Sequence, residues 1–157
     1  MSRPAAFELP AELAIDTDVA RRVIGEFIRG QLRQAGFERA VLGLSGGIDS
    51  ALVAYLVAEA IGAERLLCVL MPYRTSSPAS LGDAEEVVRR LGCPSELVEI
   101  TPMVDGFYGP TSDASSLRRG NFMARMRMAV LYDRSVTFGG LVVGTGTFAA
   151  KAAAVRK

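Results

Sequence analysis

"AVLGLSGGIDSALVAYL", residues 40–56, decides how this chain reads: a short apolar run, a glycine pair between two serines, then an almost wholly apolar run. A strand that turns on glycines into a helix brings backbone N–H groups and the positive end of the helix dipole to one point, a common phosphate cradle. Asp49 sets a carboxylate in that cradle. Two anions 4 Å apart repel by about 4 kcal/mol at an effective dielectric near 20. Two readings remain open on local chemistry. Either Asp49 is a helix-start acid beside an ordinary turn, or a divalent cation sits between it and phosphate oxygens, since Mg²⁺ takes one or two carboxylates along with substrate phosphates and waters. The loop is neither a Walker A motif, as no Gly-Lys-Ser/Thr follows, nor G-x-G-x-x-G. It offers Gly46 and Gly47 for close backbone approach, hydroxyls at Ser45 and Ser50, and free amides on the first turn of the next helix.

Before this stretch, residues 1–15 are Pro-punctuated and read as an arm, and Asp16 to Gly36 carries apolar residues at helical spacing, capped by Asp16 or Thr17 and stopped by Gly36. The role expected of that helix is to cover a sheet or a partner subunit. "RAVLGL" then reads as a buried strand and Ser50 to Gly62 as a helix. "RLLCVLM" is a second strand, "PYRTSSP" a turn, "ASLGDAEEVVRRLG" a helix with acids early and arginines late, and "SELVEI" a third strand. "TPMVDGFYGPTSDASS" reads as irregular, a long Met-rich helix follows from about Leu117 to Phe138, and "GLVVGT" is a fourth strand. Alternation of this kind predicts an α/β fold, a Rossmann-like parallel sheet with helices on both faces. Ligands of such sheets sit beyond the carboxyl ends of the strands, where strand order reverses. SGGIDS and GTGT both follow strands at that end. If the first and fourth strands are neighbours, both loops face one ligand.

The length of 157 residues fits one domain with a real core. With 18 basic and 17 acidic residues the net charge is +1, which removes the general electrostatic case for nucleic acid or an anionic membrane as main partner. A local basic patch, "SSLRRGNFMARMR", remains. The chain has no histidine, so neither a catalytic imidazole nor a Cys/His zinc site is expected. Cys68 and Cys93 read as small buried residues in a reducing compartment. Without a cationic start and apolar block, or an apolar run of spanning length, the expected location is cytoplasmic.

SGGIDS after a strand resembles the phosphate loop of the ATP pyrophosphatases, the adenine nucleotide alpha hydrolase-like group whose members adenylate a substrate oxygen and release pyrophosphate. "MPYRTSSPASLGDA", "RRGNFMARMRMAVLYD" and "LVVGTG" narrow the resemblance to the ammonia-dependent NAD synthetases, over roughly residues 17–146. GNFMARMRM is the specific part, because SGGIDS is shared with tRNA-modifying enzymes such as the tRNA thiolases and lysidine synthetase. The resemblance implies a single ATP pyrophosphatase-type domain over residues 1–157. It implies ATP on Gly43, Leu44, Ser45, Gly46, Gly47, Ile48, Asp49 and Ser50, with Thr145 contacting ATP after the fourth strand. Asp49 would hold Mg²⁺ and Arg125 would contact deamido-NAD. No residue is marked as a covalent catalyst. The implied reaction is amidation of deamido-NAD with ammonia, through an acyl-adenylate, in a homodimer whose dinucleotide site lies at the subunit interface.

Read from the residues alone, the arginines of "RRGNFMARMRM" equally fit a solvated helix face, with Met123, Met126, Met128 and Leu131 as core. For Arg118, Arg119 and Arg127 that plain reading is retained. Arg74 and Thr75 either flank the nucleotide or belong to a turn. The family usually continues G-T-x-N-K-T-E after the fourth strand, its glutamate a second metal ligand. Here Ala150 stands at that position and residues 146–157 match no family segment. A frameshifted or truncated gene product, a faulty sequence and a deliberately shortened binding module all read this way, and slow or absent turnover is expected of this chain. The rival readings are a non-catalytic nucleotide-binding remnant and a tRNA-modifying enzyme that shares the loop.

Overall fold

The structure, a computed structural model, describes residues 15–109 and 113–144. Helix α1, Thr17–Gln34, begins where the Asp16 carboxylate accepts from the amides of Asp18 and Val19 at 3.0 Å each, relieving two of the orphan donors at a helix start. Strand β1, Arg39–Leu44, runs through the glycine loop into α2, Ile48–Ile61. Gly62, at φ +94°, ends α2 and a single 3-10 turn over Ala63–Arg65 feeds β2, Leu66–Leu70. Helix α3, Pro78–Leu91, stops on left-handed Gly92 and leads to β3, Ser95–Leu97. Helix α4, Thr101–Tyr108, and α5, Ser116–Phe138, precede β4, Gly140–Val143.

All strand pairs are parallel and the order is β3-β2-β1-β4. The chain steps outward from β1 to β3 and then crosses back to lay β4 on the other side of β1. The switch point therefore falls between β1 and β4, as the sequence predicts if their loops share a ligand. β2 is buried at every residue and β1 at four of its six, because helices cover both faces of the sheet. On one face Ala40, Leu42, Leu44, Leu66, Cys68 and Leu70 meet Leu32 of α1, Ala54 and Val57 of α2 and Ala84 of α3. On the other, Val41, Leu67 and Val69 meet Val104 of α4 and Val130 of α5. The period of two sorts one strand into two cores. Each fully buried Val or Leu contributes about 1.5–3 kcal/mol of apolar transfer.

Five expectations change. The segment expected to be irregular contains α4: Pro102 occupies a first-turn position, where a missing N–H costs nothing, and Val104, Phe107 and Tyr108 follow at helical spacing. Strand β3 ends at Leu97 rather than Ile100, although the amides of Val98 and Ile100 still donate to Leu70 O and Pro72 O at 2.8 and 3.0 Å. The first turn of α3 holds no acid; Glu86 instead clamps Arg89 and Arg90 one turn further on, at 2.6 and 2.7 Å. Of the residues expected as α5 core, Met123, Met126 and Leu131 pack inward, whereas Met128 is 51% exposed. Helix α1 likewise buries Leu32 and packs Ile28 on the core, but leaves Phe27 64% exposed.

The cysteines are buried and free, as expected, and β2–β3 pairing brings their sulfurs to 3.7 Å. Among the described residues, no helix is long and apolar enough to cross a membrane. Residues 1–14 of the arm, Thr145, Ala150 and the tail lie outside the described residues.

Candidate functional site

A cavity of about 390 Å³ opens at the carboxyl ends of β1 and β2. Gly43, Leu44 and Ser45 at the end of β1, Leu70, Met71 and Pro72 at the end of β2, Ser76, Ser77, Ser80, Leu81 and Ala84 at the head of α3, and Arg127 and Leu131 of α5 line it. It lies where the fold predicts a ligand.

The glycine loop is held by its own hydroxyls. Ser50, only 4% exposed, donates from Oγ to Gly47 O at 2.9 Å and accepts from the Ser45 amide at 3.2 Å. The Ser45 and Ser50 hydroxyls lie 3.0 Å apart, and Ser45 Oγ accepts from the Gly47 amide at 3.3 Å. These bonds bend the chain so that α2 starts at Ile48, two residues earlier than its sequence pattern suggests. Gly47, the N-cap, has no side chain to spend on the helix start, and Ala51 is the first amide to bond back, to Gly47 O at 3.1 Å. The amides of Ile48, Asp49 and Ser50 thus have no acceptor among the described residues, and the dipole adds its positive end there.

Gly46 is required twice over. Its φ is +79°, and a Cβ would stand 2.0 Å from the Ser80 carbonyl oxygen, so the loop lies directly against α3. At Gly43 a Cβ would meet Met71 Cε at 3.0 Å and Leu131 Cδ1 at 3.2 Å, close packing that seats α5 beneath the cavity.

The second loop, from β2 to α3, is pinned from outside itself. Tyr73 donates to Asp105 Oδ1 at 2.8 Å, Arg74 pairs with Asp105 at 2.9 Å, and the Arg74 amide donates to Thr101 Oγ1 at 2.8 Å. Arg119 of α5 reaches the same carboxylate at 3.7 Å. Arg74 is therefore a structural tie, and neither it nor Thr75 lines the cavity.

The residues singled out in the sequence are only partly brought together. Gly43, Leu44 and Ser45 line the cavity, and Gly46 to Ser50 form the adjoining loop and helix start. Asp49 is exposed in the first turn of α2 and has no hydrogen-bond or ion-pair partner among the described residues. Arg125 is exposed outside the cavity, with Nη1 donating to Asn121 O of its own helix at 3.1 Å. Arg127, read from the sequence as a solvated-face residue, is the cation inside the cavity. The signal for it was its place, three and four residues before Val130 and Leu131, on the stripe that faces the sheet.

Asp49 fits a cation shared with phosphates rather than a free-standing metal site. Among the described residues no three acidic, Cys or His side chains converge. A lone exposed carboxylate beside unpaired amides matches Mg²⁺ bound mainly through substrate oxygens.

A doubly wound parallel sheet with a glycine loop and free amides beside a cavity at its switch point defines a nucleotide-loop α/β protein. The family model described as NAD synthase matches residues 20–153, and the chain belongs to that family. The NH3-dependent NAD⁺ synthetase of Trichlorobacter lovleyi is 49% identical over 135 residues, 86% of this chain and 50% of that protein. An NH3-dependent NAD synthetase from Campylobacter jejuni, solved in complex with the nitrate ion, superposes with a TM-score of 0.79 at 36% identity, covering 85% of this chain and 58% of the other. A glutamine-dependent NAD⁺ synthetase from Acinetobacter baumannii, solved with ADP, gives 0.75 at 34% identity, over 86% of this chain and 27% of the other. The chain spans about half the length of the curated relatives it matches.

Proposed function

We propose that this chain forms the ATP-binding half of an ammonia-dependent NAD synthetase. The reaction is ATP-driven amidation of deamido-NAD, giving NAD, AMP and pyrophosphate. The single observation that carries the reading is the head of α2, where unpaired amides and the partner-free Asp49 carboxylate meet beside the cavity. Membership of the NAD synthase family supplies the substrates.

In this reading the first-turn amides of α2 take the β- and γ-phosphates, while Gly46 and Gly47 let the chain approach them closely. Asp49 would hold Mg²⁺, which when bound neutralises phosphate charge and so lets one anion approach another. The nicotinate carboxylate attacks the α-phosphorus, pyrophosphate leaves, and ammonia then displaces AMP from the acyl carbon to form the amide. Positioning and charge neutralisation do the work, and neither step needs an imidazole. Ammonia attacks as the free base, so rate rises with pH unless a residue supplies the base. Arg125 is assigned to deamido-NAD and Thr145 to ATP. A cytoplasmic homodimer is part of the same proposal, and the single-domain organisation belongs with it.

Calorimetry with Mg²⁺ and ATP tests it. Asp49→Asn is expected to weaken Mg-ATP at least about tenfold while leaving the melting temperature unchanged, because Asp49 ties down nothing else. Equal affinity for parent and variant would overturn the role of Asp49, and no affinity in either would overturn the ATP site.

A further inference from the structure

Among the described residues, Arg127 is the one charged residue that lines the main cavity. Its Nε donates to Met71 O at 3.1 Å, the carbonyl just beyond the end of β2, and this bond ties the guanidinium to the rim of the cavity that it lines. The two terminal nitrogens have no hydrogen-bond or ion-pair partner among the described residues.

The other arginines of α5 contrast with it. Arg119 pairs with Asp105 and stacks on Tyr108, and Arg134 pairs with Glu96 and Asp133. Arg118 and Arg125 are exposed, where water solvates the charge. Arg127 is half-buried with no acid to answer it among the described residues, and that burial pulls its pKa below the ordinary guanidinium value. A charge held so is costly unless an anion completes it. Among the described residues none that lines the cavity is acidic, so an anion that pairs with Arg127 there would come from a ligand.

We infer that Arg127 is an anion-holding residue of this cavity, its two terminal nitrogens taking a phosphate oxygen of the bound nucleotide. The inference rests on the ATP reading above and deepens it. The planar fork suits phosphate, and the Nε bond to Met71 O presets its orientation, so little freedom is lost on binding. The three serines on the opposite wall, Ser76, Ser77 and Ser80, carry no charge and leave Arg127 to set the sign of the site.

The test compares ATP with adenosine, each titrated by calorimetry into the parent chain, Arg127→Gln and Arg127→Lys. Loss of a charged hydrogen bond predicts at least about a tenfold weaker ATP affinity for R127Q, adenosine within about twofold of the parent, and R127K in between. Equal loss of ATP and adenosine affinity overturns the inference, because Arg127 would then act only by bracing Met71. Unchanged ATP affinity in R127Q overturns it as well, whether or not deamido-NAD affinity falls, and leaves the ATP reading standing. A parent that binds neither ligand overturns both. Should R127Q fail to fold, the Nε resonance of Arg127 in the parent gives the same answer. It is expected to shift with ATP and with inorganic pyrophosphate but not with adenosine, and a resonance that stays put with both anions overturns the inference.

Discussion

The two loops that leave adjacent strands β1 and β2 do opposite things. The β1–α2 loop is held by its own residues, through the Ser45 and Ser50 hydroxyls and a glycine pressed on α3, and its bonding leaves the helix-start amides and Asp49 with nothing to bind. The β2–α3 loop has one turn of its own, with the Tyr73 amide donating to Ser76 Oγ at 3.0 Å and the Ser76 amide to Tyr73 O at 2.7 Å, but it is anchored by others: Thr101 and Asp105 of α4 take its amide, its phenol and its guanidinium. A loop stabilised from within can present its polar groups outward, and a loop stabilised from without can serve as a fixed wall. On the proposed reading the first binds and the second frames. Preorganised donors of that kind cost nothing to reorient when a ligand arrives.

Three substitutions break or sharpen this contrast. Gly46→Ala is expected to have the largest effect, because the added methyl overlaps the Ser80 carbonyl and the backbone is left-handed. A loss of about 3 kcal/mol or more in denaturant unfolding is expected, and with it the nucleotide site. Near-parent stability would mean that the loop and α3 can separate cheaply.

Asp105→Ala comes next. It strands the nearly buried Tyr73 hydroxyl and frees Arg74, a cost of about 1–3 kcal/mol. Since Asp105 touches only the framing loop and α5, nucleotide affinity should fall by a few-fold through a looser wall. A loss as large as that of Asp49→Asn would show that the second loop binds as well as frames.

The smallest effect belongs to Glu86, at the far end of the helix that the framing loop enters. Hydrogen bonds from Arg89 and then Arg90 hold its carboxyl at about 2, below the ordinary value of 4.5. A folded value below the unfolded one means the contribution is complete above about 4.5 and is lost as pH falls toward 2. The group is partly exposed and screened by solvent, so Glu86→Gln should slightly flatten the acid limb of a pH–melting curve and leave the site untouched. A change in nucleotide affinity would tie the distal end of α3 to the cavity.

Much of this was legible in the sequence, for reasons that differ from element to element. β1, α5 and the cap of α1 were readable because periodicity, serine, aspartate and glycine act within a few residues. α4 was obscured because Pro102, Gly106 and Gly109 look like loop punctuation until Val104 is seen buried at 0% exposure against the sheet. Arg127 was misjudged because one residue in seven on an amphipathic helix changes face with a small rotation, and only packing against Met71 and Gly43 fixes that rotation.

By itself the sequence determined the parallel α/β class, the glycine turn from β1 into α2 and the place of Asp49, since these follow from local spacing. Tertiary structure alone decided that β4 lies beside β1, that Ser50 braces its loop, that Asp105 gathers three elements and that Arg127 is the cation in the cavity. The reason is physical. A turn or a cap is settled by neighbours in the chain, whereas which charge loses its water depends on what packs against it from far away.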